Sequence, residues 1–211
     1  MSRREADEAI AKGKVLVNGK PATIGVKLDK NDEVCYNGKM VPLRVDFLYL
    51  MMHKPVGYVC SRRSQGAPTV YELLPEKYRG LKTVGRLDKD SSGLILLTND
   101  GDFAFLMTHP KFRKNKVYRV ELDRELEPLH QQMIAEYGVE LPDGPSKFKV
   151  LKEHTYPPAP RYTVILTEGR NRQIRRTFAA LSYEVVGLHR VQFGKFELGD
   201  LKPGKYVIIK P

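Results

Sequence analysis

The chain has 211 residues, with 36 lysines and arginines against 25 acidic residues and a net charge of +11. Its hydrophobic share of 41% is too high for a disordered chain and sufficient for one main core with a small additional module. The charge indicates a polyanionic partner. The two cysteines, Cys35 and Cys60, form no C-x-x-C pair, which excludes a disulfide framework and a zinc-finger spacing.

Other patterns argue against metal-dependent, membrane-spanning and secreted proteins. The histidines are scattered without an H-x-x-x-H pair, so we expect no metal and no other cofactor. The longest apolar stretch covers residues 47–52, whereas a membrane-spanning helix needs about 20 residues. Polar residues follow Met1 directly, without an apolar signal region. We therefore expect a cytoplasmic protein with no membrane partner.

The first 43 residues predict a small α/β module. Ser2 and Glu5 have capping-box spacing, which predicts a helix from there to about Lys12 that ends at Gly13. Alternating apolar residues at 15–17 precede an Asn-Gly turn, and residues 33–36 predict another short strand before a second Asn-Gly. A helix followed by a hairpin therefore occupies residues 1–43.

Residues 48–211 predict a second, larger α+β domain. Apolar or alternating runs predict strands at 48–52, 94–98, 117–122 and 162–167. The run at 94–98 is almost wholly apolar, which is typical of a strand covered on both faces. Helices are predicted at 101–108 and 173–181, and short strands around 185, 191 and 207–209.

The segment 85–93 (GRLDKDSSG) is a polar turn before the apolar strand at 94–98. A carboxylate beside a rigid strand can be held in position, and the neighbouring Arg86 can keep it ionised. Aspartate, serine and glycine are also ordinary turn residues. The spacing does not choose between Asp88 and Asp90 as a catalytic carboxylate.

The segment 168–176 (EGRNRQIRR) places Arg170, Arg172, Arg175 and Arg176 at the start of a predicted helix. Such a cluster predicts a surface that binds phosphate, with the last three arginines sharing one helix face. A solvated basic face is the alternative, and Asn171 has an alternative role as a helix N-cap.

Residues 109–119 contain five basic residues and no acid, which predicts a mobile basic loop along a nucleic-acid backbone. Tyr118 ends this loop on the apolar face of its predicted strand. It is either a core residue with a bonded hydroxyl or a stacking platform for an extruded base.

Five blocks, in order, resemble the RsuA family of pseudouridine synthases. In chain order they are Lys54-Pro55-x-Gly57, 85–101 (GRLDKDSSGLILLTNDG), Lys116-x-Tyr118, 168–176 (EGRNRQIRR) and Leu188-x-Arg190. Residues 2–20 resemble an S4 RNA-binding domain. Members of the family usually have another helix ahead of this segment, so we expect the module to lack its first helix.

The resemblance implies an α+β catalytic domain with a mixed, mostly antiparallel sheet, flanking helices and a central cleft. By motif, Asp88 would be the nucleophile, Arg175 its ion-pair partner and Tyr118 the aromatic residue that packs on the target base. The implied substrate-binding residues are Lys54, Arg86, Arg170, Asn171, Arg172, Gln173, Arg176 and Leu188, the last as pocket wall.

The implied reaction is isomerisation of a uridine in ribosomal RNA to pseudouridine, on free RNA or in a pre-ribosomal particle, by a monomer without metal or cofactor. Attack at C1′, attack at C6 and a glycal route remain open. The alternative is a non-catalytic RNA-binding protein that assists ribosome assembly; a DNA-binding protein is less favoured because no predicted helix has a recognition-helix context. The presence of Asp88, Tyr118 and Arg175 favours catalysis, whereas an Asp88 carboxylate out of reach of Arg175 would favour the binding protein.

Overall fold

The computed structural model describes residues 3–42, 46–64, 66–157 and 159–211. The chain forms two compact units, residues 1–46 and 47–211. The predicted cap residue Ser2 lies outside the described residues. Within the described ranges, no helix has the length and apolar character required to cross a bilayer.

The first unit consists of one helix and a small antiparallel sheet. Helix α1 (Arg3–Ala11) is followed by β1 (Val15–Val17), β2 (Lys20–Pro21), β3 (Val34–Tyr36) and β4 (Lys39–Met40), in the order β2-β1-β3-β4. Both Asn-Gly turns form as predicted, since Asn18 and Asn37 have positive φ angles. Among residues 3–42 the buried apolar side chains are Ala9 and Val34, so this unit has a very small core.

The second unit is built on one large sheet with the strand order β13-β5-β7-β11-β8-β10-β9; β12 pairs with β11, and β6 with β7. Its strands are β5 (Tyr49–Lys54), β6 (Lys82–Val84), β7 (Ser92–Thr98), β8 (Lys116–Leu122), β9 (Lys149–Lys152), β10 (Arg161–Leu166), β11 (Val185–Phe193), β12 (Phe196–Glu197) and β13 (Tyr206–Ile208). The pairing of β7 with β11 is parallel, and the other strand pairings are antiparallel.

Three α-helices accompany this sheet: α2 (Gly101–Thr108), α3 (Pro128–Gln132), which continues as a π-helical turn over Met133–Tyr137, and α4 (Gln173–Ala180). The start of α2 follows from its sequence, because the Asp100 side chain accepts hydrogen bonds from the amides of Asp102 and Phe103. Mixed strand directions with flanking helices confirm the predicted α+β class and its mostly antiparallel sheet.

Strand β7 is covered on both faces, as its apolar run predicts. Leu94 and Leu96 pack into one cluster of buried side chains, whereas Ile95 and Leu97 pack into another. The strand predicted at 117–122 is confirmed as β8, which begins one residue earlier at Lys116. The basic loop predicted over 109–119 therefore ends before residue 116, because the alternation that buries Tyr118 with Val120 and Leu122 begins at Lys116.

Gly93 permits the close pairing of β7 with β11. Its φ angle is +108°, and a Cβ atom there would lie 2.2 Å from the carbonyl oxygen and 2.5 Å from the amide nitrogen of Arg190. No side chain fits so near a backbone, and an L-residue is strained at this φ. The two strands therefore meet only because residue 93 is glycine.

Replacing Gly93 with alanine is expected to lower the free energy of unfolding by at least about 3 kcal/mol, because backbone must move and φ is strained. Urea denaturation followed by circular dichroism measures the change. Gly101→Ala is the matched control, since a Cβ at the first residue of α2 meets no atom within 4 Å. A Gly93→Ala variant as stable as this control would contradict the proposed constraint.

Candidate active site

The segment between β6 and β7 carries Asp88 on a loop fixed at several points. Leu87 is buried, and its amide donates to the Cys60 Sγ at 3.4 Å. The Ser91 amide donates to the Asp88 carbonyl, and the Gly57 amide donates to the Lys89 carbonyl. The Asp88 side chain remains 31% exposed, so its carboxylate is positioned by a rigid loop and still accessible.

Lys54 supports this loop from the protein interior. Its side chain is fully buried, and its Nζ donates to the carbonyl of Ser91 at 2.6 Å and to that of Pro55 at 3.0 Å. Burial lowers the pKa of Lys54, and nearby Cys60, Asp90 and Asp88 oppose that shift. Substrate binding by Lys54 stays a prediction, and two of its three N–H donors are used inside the protein.

The arginine beside Asp88 is Arg172, not Arg175. The Nη1 atom of Arg172 lies 3.6 Å from Asp88 Oδ2, and its Nη1 and Nη2 donate to the two Asp90 carboxylate oxygens at 3.1 and 3.0 Å. The Nε atom of Arg175 lies 3.4 Å from Asp90 Oδ2. Arg175 also donates hydrogen bonds to the backbone carbonyls of Asp90 and Val185.

Among the described residues, no ion pair within 4.0 Å joins Arg175 to Asp88, so the predicted pair is corrected. Arg172 immediately precedes α4 with a φ angle of +46°, and this left-handed turn directs its guanidinium to both aspartates. The criterion stated for the non-catalytic alternative, an Asp88 carboxylate outside ion-pair reach of Arg175, is therefore met. Arg172 nevertheless supplies a guanidinium beside Asp88, so the argument for catalysis rests on Arg172 in place of Arg175.

Asp90 organises the two arginines. Partial burial alone would raise the pKa of its carboxyl, but the Arg172 hydrogen bonds and the charges of Arg175 and Arg172 outweigh burial and lower this pKa. Of the two aspartates that the sequence left open, Asp90 therefore has its carboxylate occupied by arginines. Asp88 has only the longer contact with Arg172 among the ion pairs of the described residues.

Arg170 and Arg176 bind the protein itself rather than forming an open phosphate surface with Arg172 and Arg175. Arg176 forms a bidentate pair with Asp143 at 3.0 and 2.8 Å, and Arg170 donates to Asp143, to the Gly144 carbonyl and to the Pro145 carbonyl. The predicted common face fails because Arg176 turns to Asp143 while Arg172 and Arg175 turn to Asp90. A solvated basic face, the alternative, does not describe these paired side chains either.

Gln173 is also used internally. It is buried, with its amide nitrogen donating to Ser146 and to Glu168 and its oxygen accepting from the Arg170 amide. The N-cap position of α4 is held by Arg172 without a side-chain cap bond, so Asn171 is not this cap.

The loop with Asp88 forms one wall of a cleft with a volume of about 370 Å³. Tyr118 and Leu188, from the adjacent strands β8 and β11, contribute apolar surface, and both are largely buried. Arg86 is exposed at the cleft together with Asn171. Such a volume with mixed polar and apolar lining suits a small planar ligand.

Sequence reasoning missed Lys116 and Arg190 as residues of the cleft. Lys116 is 8% exposed and Arg190 is 2% exposed, yet both line it. A signal existed, because Lys116 shares a strand face with Tyr118 and Arg190 shares one with Leu188 by the two-residue period. A basic residue on a strand face that is otherwise apolar is unusual enough to mark a site.

Comparison with known proteins agrees with this arrangement. Residues 48–180 match the sequence profile described as RNA pseudouridylate synthase, and residues 2–34 match the S4 domain. The chain therefore belongs to the RNA pseudouridylate synthase family. It is a pseudouridine synthase of the RsuA type, which confirms the resemblance found in the sequence.

Two relatives cover nearly the whole chain. The chain is 37% identical to the ribosomal small subunit pseudouridine synthase A of Pasteurella multocida, over 98% of this chain and 89% of the relative. It is 36% identical to the ribosomal large subunit pseudouridine synthase B of Bacillus subtilis, over 96% and 84%. A crystal structure of a pseudouridylate synthase covers 100% of this chain and 91% of its own, with 32% identity and a TM-score of 0.73.

The interaction energy of the bidentate pair between Arg172 and Asp90 can be measured by a double-mutant cycle with Arg172→Met and Asp90→Asn. We expect a coupling of about 1 kcal/mol in the free energy of unfolding, because the pair is bidentate but about half exposed. Urea denaturation of the four variants gives the coupling. Lys12→Met with Glu8→Gln is the control cycle, since that pair is 3.9 Å apart and well exposed. Equal coupling energies in the two cycles would contradict the claim that Arg172 and Asp90 form a stronger pair than Lys12 and Glu8.

Proposed function

We propose that this protein isomerises a uridine in ribosomal RNA to pseudouridine, with Asp88 as the nucleophile. The observation that carries the proposal is the accessible Asp88 carboxylate on a fixed loop at the cleft, 3.6 Å from a guanidinium. The Arg172 guanidinium can orient this carboxylate, and the carboxylate form is the one that acts as a nucleophile.

The cleft provides a place for an extruded base. Tyr118 and Leu188 present apolar surface against which a pyrimidine ring can pack. Removing a uridine from its stack costs a few kcal/mol, and packing against an aromatic ring offsets about 1–3 kcal/mol of that cost. The Tyr118 hydroxyl is also a candidate acceptor for the C5 proton. Arg86 and Asn171, at the cleft surface, are the best placed of the predicted substrate-binding residues to contact the nucleotide or its flanking phosphates.

Ribosomal RNA is the proposed substrate because the relatives named above are ribosomal pseudouridine synthases, and they are similar to this chain over 98% and 96% of its length. The net charge of +11 and the basic residues 111–114 suit a structured polyanion. Relatives named for the small and for the large subunit are similar at 37% and 36% identity, so transcripts of both subunits belong in the test.

The decisive test follows tritium release from ribosomal RNA transcripts labelled at C5 of uridine, where the C–H bond breaks as C5 joins C1′. We expect release by the parent and a loss of at least about 1,000-fold for Asp88→Asn, because the amide cannot act as the nucleophile. Asp90→Asn is the comparison variant and should be slowed far less than Asp88→Asn, because it weakens the hold on Arg172 without removing the proposed nucleophile.

The contrary outcomes are distinct. Release by Asp88→Asn with loss in Asp90→Asn would assign the nucleophile to Asp90. No release by the parent, on naked transcripts of either subunit and on immature ribosomal particles, would favour the non-catalytic RNA-binding protein. Filter binding of each variant to the same RNA separates lost chemistry from lost affinity.

Tyr118 has two proposed contributions that substitution can separate. Tyr118→Phe keeps the ring and removes the hydroxyl, whereas Tyr118→Leu removes both. If the hydroxyl accepts the C5 proton, tritium release falls by about 100-fold in both variants. If only packing matters, Tyr118→Phe stays within about threefold of the parent and Tyr118→Leu alone is slow. Single-turnover tritium release measures the difference.

A further inference from the structure

Arg190 is buried beside the cleft in an unusual state for a cation. It lies on β11 and is 2% exposed. Its Nε donates to the Leu94 carbonyl at 2.7 Å, its Nη1 lies 3.4 Å from the Tyr118 hydroxyl oxygen, and its Nη2 has no hydrogen-bond partner. In the part of the chain that the structure describes, it forms no ion pair with a carboxylate.

A second buried cation lies close by. Lys116 on β8 is 8% exposed, and among the described residues its Nζ donates only to the carbonyls of Glu168 and Thr167, at 3.3 and 3.5 Å. The Nζ of Lys116 lies 5.3 Å from the centre of the Phe193 ring, and the Arg190 guanidinium carbon lies 4.9 Å from it. Burial and the charge of Arg190 lower the pKa of Lys116 to about 8, against the opposing charge of Glu168.

Holding two cations together away from water is costly unless something compensates for the charge. The four arginines of residues 168–176 have acidic partners, Asp90 for Arg172 and Arg175, and Asp143 for Arg170 and Arg176. Lys116 and Arg190 line the cleft beside Asp88 and Tyr118 instead. Their arrangement fits an anion that is present only during the reaction.

The proposed reaction generates such an anion by each route. Attack of Asp88 on C1′ forms a C1′–O bond and breaks C1′–N1, whose electron pair leaves with uracil. In the glycal route, loss of a C2′ proton expels the same uracil anion. In attack on C6, the new C6–O bond drives the C5=C6 electron pair onto O4. On the C1′ route, C5 then displaces the Asp88 carboxylate from C1′. On the glycal route, C5 adds to C1′ while C2′ takes back its proton from the base that removed it. On the C6 route, the C1′–N1 bond breaks as C5 bonds to C1′, and the C6–O bond then breaks to release Asp88. On every route C5 gives its proton to a base and N1 takes up a proton, so the product base is neutral.

We propose that Lys116 and Arg190 form a buried cation pair that stabilises the negative charge uracil acquires at the transition state. The inference rests on the proposed function and adds residues to that same site. Preorganised charges in a site with little water act strongly on developing charge and need no rearrangement during the reaction. Arg190 additionally holds the Tyr118 hydroxyl, so it acts partly as a positioning residue.

The test measures single-turnover tritium release and RNA affinity separately for Arg190→Met, Arg190→Lys and Lys116→Met. We expect Arg190→Met to lower the rate constant at saturating protein by about 100-fold while RNA affinity changes less than about threefold. Arg190→Lys, which restores the charge, should recover most of the rate. Arg161→Met is the matched control, because Arg161 lies on β10 in an exposed pair with Glu121.

A pH profile distinguishes charge from structural support. In the parent, the rate should fall as the pH rises through about 8, where the Lys116 ammonium loses its proton. Arg190 on β11 lowers this pKa and Glu168 raises it, so removing the Arg190 charge should move the alkaline limb to higher pH in Arg190→Met. A variant that is only partly folded would release less tritium in total, but the pH at which its rate falls would not change.

The outcomes are separable. An active parent with Arg190→Met and Lys116→Met at parental rates would overturn the cation pair and leave the proposed function intact. Arg190→Lys as slow as Arg190→Met, with an unmoved alkaline limb, would also overturn it. A parent that releases no tritium would overturn the proposed function, and this inference with it.

Discussion

The contact between Gly93 and the backbone of Arg190 is the constraint on which the site depends. It joins β7 to β11 in the one parallel pairing among the described strand pairs of the second unit. The loop with Asp88 precedes β7, and helix α4 precedes β11, so parallel strands bring both preceding segments to the same edge of the sheet. Asp88 and Arg172, 84 positions apart in the chain, therefore meet because two strands run in one direction.

The charges around the cleft are arranged in two ways. On its surface, the four arginines of residues 168–176 are matched by aspartates, and Asp90 and Asp143 each bind two of them. Beneath it, Lys54, Lys116 and Arg190 are bound chiefly by backbone carbonyls. The ion pairs hold the surface segments rigidly. They also use donors that a ligand could otherwise bind. The buried cations leave a positive field at the place where the proposed chemistry produces negative charge.

Much of the fold could be predicted from the sequence where a local rule was sufficient. The run at 94–98 predicted a doubly covered strand, and the helix at 101–108 was predicted with its observed bounds. The partners of charged side chains could not be predicted in this way. Arg175 was assigned to Asp88 by motif, but which arginine reaches which aspartate depends on the left-handed turn at Arg172, a tertiary feature without a local pattern.

The buried cations were missed for a related reason. Sequence rules place lysine and arginine at the surface by default, and that default assigned Lys116 to a basic loop. The two-residue spacing between Lys116 and Tyr118 indicated instead that Lys116 lies on the same strand face as Tyr118. The overall excess of basic residues indicated a polyanionic partner, but it could not separate cations on the surface from those beneath the cleft.

The thin core of the first unit has a consequence for its thermodynamics. With only Ala9 and Val34 as buried apolar side chains among residues 3–42, burial contributes little to holding this unit together. A ligand that binds only the folded form adds about 2.7 kcal/mol at a hundred times its Kd. For a unit of this size such linkage would be a large share of its stability. If RNA binds only the folded form of this unit, the unit is most stable when RNA is abundant.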